Sequence, residues 1–179
     1  MVAGCGLLAS ACSGSPAAPR PTAATPAPST TAMPAGVSLV ATLHGRAVRY
    51  ASPGGATDGS LPAKWHGAKS ALPVIESRPG WVEVRVAQRP NGSTAWVRAA
   101  DVTMSSTPYR IIINTTTMHL TLYKDARQIL SAPAGIGTTS DPTPAGDYFV
   151  AFLEAPPRPN PGYGAFILVT SAHSDSIAD

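Results

Sequence analysis

Gly137-Thr138-Thr139-Ser140-Asp141-Pro142-Thr143-Pro144-Ala145-Gly146-Asp147-Tyr148-Phe149 is the stretch on which the fold turns. Pro142 and Pro144 fix φ two residues apart, and Gly146 frees the backbone just before an aromatic pair that can begin a strand. The stretch therefore reads as a stiff turn whose residues are structural and shape one wall of a cleft. Upstream, Arg110-Ile111-Ile112-Ile113-Asn114 reads as a strand that opens a new unit after a break at Ser105-Ser106-Thr107-Pro108. Met118 to Asp125 gives the next strand, with Leu120 and Leu122 on one face, Met118 a candidate to join them, and His119, Thr121 and Tyr123 on the other. Lys124 to Arg127 makes the turn, and Gln128 to Gly135 returns.

Composition agrees with a chain of short strands. Its 179 residues include 19 Pro and 16 Gly, and only 13% are charged, about half the usual share of soluble domains. No window of ten or more residues keeps a clean helical period, so a mainly β class is expected. The net charge is +3, with a pI near 9.1. The basic residues are dispersed, and nucleic acid as a partner is excluded on that ground. No phosphate-cradling glycine loop precedes a helix, and no His/Cys spacing suits a metal; no cofactor and no metal are expected.

Residues 37–104 read as a first small β domain. Trp81-Val82-Glu83-Val84-Arg85-Val86 alternates at period two and puts Val82, Val84 and Val86 on one face. Asn91-Gly92 marks a hairpin turn, while Asp58-Gly59 and Pro79-Gly80 punctuate two further connections. Gly80-Trp81-Val82-Glu83-Val84, a turn, then Ala95-Trp96-Val97-Arg98 resembles the last hairpin of bacterial SH3-like domains. That resemblance implies a small barrel which binds wall peptides or orients a neighbour. Trp81 and Trp96 read as core before ligand platform.

The leader is of another kind. Val2 to Ala11 is uncharged, small and apolar, the length of a secretory h-region and too short to span a bilayer. Leu7-Leu8-Ala9-Ser10-Ala11-Cys12 resembles a bacterial lipoprotein signal, which makes Cys12 the lipidation candidate over Cys5; an ordinary cleaved signal is the alternative. No Lys or Arg precedes the run, so either the start codon is assigned too far downstream or the chain begins inside its gene. The segments expected are thus a leader at 1–12 and a disordered Pro/Ala/Thr/Ser linker at 13–36. The product is expected to be exported to the outer face of the cytoplasmic membrane or the cell wall, anchored by a lipid or secreted.

Leu120-Thr121-Leu122-Tyr123-Lys124-Asp125, the Pro-Thr-Pro-Ala-Gly-Asp-Tyr motif and Asn160-Pro161-Gly162-Tyr163-Gly164-Ala165-Phe166 together resemble the L,D-transpeptidase catalytic domain, also called YkuD. The resemblance implies that residues 108–179 are the N-terminal part of a truncated β-sandwich. It also implies cysteine acyl transfer on peptidoglycan stem peptides, forming 3→3 cross-links. In that family a thiolate, a histidine and backbone donors come from Ile-His-Gly and Ser-His-Gly-Cys-x-Arg segments. Both segments are expected beyond Asp179, so no catalytic residue is assigned and this polypeptide is expected to be inactive, marginal in this part and prone to aggregate. Tyr123, Tyr163, Phe166 and His173 are the candidates to line the substrate groove, with core packing or a solvated role competing for each. A non-catalytic peptidoglycan-binding lipoprotein and an L,D-carboxypeptidase are the alternatives.

Overall fold

A computed structural model describes Met1 and residues 36–156, 162 and 164–176. Among these residues the secondary structure is strand, with one 3-10 turn at Ala99–Asp101 and no α-helix. Cys5, Cys12, the leader, nearly all of the linker and Tyr163 lie outside the described residues.

The first unit is one seven-stranded sheet. Its strands are β1 (Ser38–Leu43), β2 (Ala47–Tyr50), β3 (Thr57–Leu61), β6 (Ala71–Arg78), β7 (Trp81–Arg85), β8 (Thr94–Arg98) and β9 (Val102–Thr107), in the order β3-β2-β8-β7-β6-β1-β9. The short hairpin β4 (Lys64–Trp65) and β5 (Ala68–Lys69) lies between β3 and β6. Alternation builds the core as expected: Val82, Val84 and Val86 are buried, with Val84 fully so. Ala41, Leu43, Ala47, Leu61, Leu72, Ala95, Val97 and Val102 complete the cluster. Pro79-Gly80 makes the β6–β7 hairpin, with Gly80 at φ 78°, and Gly92 takes φ 85° between β7 and β8.

Three expectations need correction. The barrel is not closed: β3 and β9 are the two edges, and β2 meets β8 at the single pair Tyr50–Trp96, so the sheet stays open. Asp58-Gly59 is no turn but the middle of β3. Arg49 grips Asp58 with two hydrogen bonds of 2.9 and 3.1 Å, and a bulge beside Arg49 absorbs the irregularity. Ser105-Ser106-Thr107 is no break either. It is the end of β9, where Ser38 pairs with Thr107 and Leu39 with Ser106, since small polar residues suit an exposed edge.

The following chain forms β10 (Tyr109–Asn114), β11 (His119–Lys124) and β12 (Arg127–Pro133) as an antiparallel three-stranded sheet. The register aligns Ile111 with Leu122 and Leu130, and Ile113 with Leu120. These five residues therefore share one face. Ile111, Ile113 and Leu130 are 41–48% exposed, so no second layer among the described residues closes it. The β11–β12 turn is Asp125-Ala126, with φ 48° and 63°, the mirror-image geometry that fits strand twist. A last hairpin, β13 (Val150–Glu154) with β14 (Ile167–Thr170), stands apart from that sheet.

Candidate functional site

The Pro-Thr-Pro stretch runs without regular structure from β12 to β13, as a stiff connection should. It is held by its own hydroxyls: the Gly137 amide donates to Thr143 Oγ1 at 2.8 Å, and the Asp141 amide to Thr138 Oγ1 at 3.2 Å. Gly137 is required by contact. A Cβ there would stand 2.1 Å from the Asp141 carbonyl oxygen and 2.6 Å from the Thr143 nitrogen. Tyr148 Oη donates to the Ala145 carbonyl at 3.2 Å, and Gly146 takes φ 150° beneath the phenol.

From there the chain packs onto the first sheet. Phe149 joins the edge of its hydrophobic core. Phe152 is buried, stacked on His66 at 4.5 Å between centroids and tilted against Trp65 at 6.0 Å. Ser171 fastens the base of this hairpin, its amide donating to the Phe149 carbonyl while its hydroxyl accepts from the Phe149 amide. The tie then passes to the β7–β8 turn. Asn91 clasps the backbone of His173, donating from Nδ2 to its carbonyl at 2.7 Å and accepting its amide on Oδ1 at 2.9 Å. Arg89 donates to the Ser174 carbonyl at 2.6 Å.

The three candidate groove residues that the structure describes, Tyr123, Phe166 and His173, fall on separate segments. Tyr123 is half-buried on β11, opposite Arg110 and Gln128. Phe166, 64% exposed, precedes β14, and His173 follows it on the Asn91 clasp. Tyr163 is outside the described residues. Asn91 and Arg89 were missed as contact residues because a hairpin turn announces its backbone, not the partner its side chains meet.

The remaining imidazoles are engaged locally. His44 Nε2 lies 2.7 Å from Thr103 Oγ1, and His119 Nδ1 lies 2.9 Å from the Thr117 carbonyl. On the outer face of the first sheet, Tyr50 meets Trp81 edge to face at 4.9 Å. The Arg78 guanidinium caps the buried Trp96 at 4.9 Å, and Arg98 lies 5.8 Å over Trp81. The hydrogen bond from Arg78 holds the half-buried Glu76 carboxyl below its ordinary range. Among the described residues no cluster of three metal-ligating side chains occurs, and no helix is long and apolar enough to cross a membrane.

Fold and site thus define a mainly β protein of several sheets, with a glycine- and proline-shaped connection leading onto the first sheet. Residues 108–172 match the family model of the L,D-transpeptidase catalytic domain, YkuD. That family is one of acyltransferases that act on peptidoglycan. No curated protein and no solved structure matches the chain.

Proposed function

We propose that residues 108–172 are scaffold of a peptidoglycan L,D-transpeptidase, whose cysteine acyl transfer builds 3→3 cross-links in the cell wall. The match of this segment to the catalytic-domain family carries the reading. The apolar face of Ile111, Ile113, Leu120, Leu122 and Leu130 supports it, since such a face belongs inside a two-layer sandwich. Both cysteines, Cys5 and Cys12, precede the matched segment. Thiolate chemistry therefore has no nucleophile within it, and the segment's part is to build walls.

On the same reading residues 37–104 are an SH3-like module that holds the catalytic part against the wall. A leader with Cys12 as its lipid-bearing residue puts the protein at the outer face of the membrane. A second reading, a non-catalytic lipoprotein that binds peptidoglycan through the first sheet, shares that wall-directed role. Co-sedimentation of the purified 179-residue chain with insoluble sacculi tests the wall-directed role common to both. Retention that soluble stem peptide competes away is expected; a chain left wholly in the supernatant would remove peptidoglycan as the partner.

A further inference from the structure

A cleft of about 210 Å³ lies where the β7–β8 turn faces the Ala145–Tyr148 segment. Arg85, Asn91 and Gly92 form one wall, and Gly146, Asp147 and Tyr148 the other. The β7–β8 turn is tied across the junction by the two hydrogen bonds between Asn91 and the His173 backbone and by Arg89 on the Ser174 carbonyl.

Its charges are arranged for a ligand. Arg85 Nη1 lies 3.8 Å from where a Gly92 Cβ would stand, so the guanidinium rests beside the β7–β8 turn in ordinary contact with it. Asp147 lines the opposite wall. The ion pairs among the described residues are Arg49–Asp58 and Arg78–Glu76, so Arg85 and Asp147 share the cleft without closing on each other. A guanidinium on one side and a carboxylate on the other complement a molecule with a carboxylate and an ammonium group a few bonds apart. The volume is below the ~300–1,000 Å³ of pockets that enclose a drug-sized molecule. It suits a single amino-acid unit.

We infer that this cleft is a binding site for an amino-acid zwitterion, with Arg85 receiving the carboxylate and Asp147 the ammonium. The free amino acid and the end of a short peptide present the same chemistry. The site stands on charge and shape alone and is independent of the acyl-transfer reading.

The test is an amide chemical-shift titration of the full 179-residue chain with alanine and with alanyl-alanine. N-acetylalanine and alaninamide, which keep one charge each, are the controls. Saturable shifts at Gly92 and Gly146 are expected with at least one zwitterion; which of the two saturates identifies a free amino acid or a peptide end. The one-charge analogues should bind about tenfold more weakly or worse, because each lacks one charge-assisted contact. Arg85→Gln and Asp147→Asn should each weaken binding to a similar degree while keeping the dispersed spectrum of the parent. Asp125→Asn, outside the cleft, should bind like the parent. Absence of saturation with both zwitterions, one-charge analogues binding equally well, or indifference to Arg85→Gln and Asp147→Asn would overturn the proposal.

Discussion

Ala126 and Gly137 carry the backbone demands of the matched segment. Ala126 holds φ 63° in the second position of the β11–β12 turn, where a β-carbon crowds the following carbonyl. Ala126→Gly is expected to raise stability by about 0.5–1 kcal/mol, relief of that crowding outweighing the added chain freedom. A thermal melt checks this, and a lower midpoint would contradict the turn geometry. Gly137 is the reverse case, since its missing side chain is what lets the loop fold back on Asp141 and Thr143. Gly137→Ala should cost about 1–3 kcal/mol of strain, and the Thr143 contact should be lost. An unaltered melt and unchanged amide shifts at 137–143 would contradict that. Sequence made the stiffness of this loop legible through its prolines. It did not show Gly137 as the point of closest approach, because that contact depends on where Asp141 returns.

The three-stranded sheet β10-β11-β12 is the element with the most unfinished packing. Strands and turns were legible from alternation and from the Lys124–Arg127 punctuation, and the observed ranges follow the reading closely. The expected face of Leu120 and Leu122 gains Ile111, Ile113 and Leu130 from the register, which pattern alone does not give across strands. An exposed apolar face flanked by two open edges promotes self-association. Ile113→Lys together with Leu130→Lys should abolish concentration-dependent association and lower binding of a hydrophobic dye. Light scattering checks this, and association as strong as the parent's would show that another surface is responsible. What was illegible at this scale was β3 and the end of β9. Asp58-Gly59 and Ser105-Ser106-Thr107 have turn composition, and only pairing with β2 and β1 makes them strands.

Across the whole molecule, the chain after the Pro-Thr-Pro connection is fastened to the first sheet. Gly36, just ahead of β1, comes close to the β11–β12 turn: a Cβ on it would stand 2.5 Å from the Ala126 nitrogen. The chain entering β1 therefore abuts the β11–β12 turn. Phe152, 9% exposed against His66 and Trp65, is the central apolar contact of the docking. Phe152→Ala should cost about 3–5 kcal/mol and perturb amide shifts near His66 as well as along β13. A change confined to β13 and β14 would mean that the two parts fold independently. Little of this docking was legible, because contacts across more than 80 residues, such as the Asn91 side chain on the His173 backbone, leave no local pattern. The candidate groove was legible only as residue types: Tyr123, Phe166 and His173 fall on separate elements.

Thiolate acyl transfer at a stem peptide needs a cysteine beside an imidazole, and residues 108–172 contain no cysteine. Incubation of the purified 179-residue chain with a tetrapeptide stem, followed by mass spectrometry, tests this directly. The account predicts no D-alanine set free and no acyl adduct on the protein; release of D-alanine, or a mass gain equal to the acyl group, would contradict it.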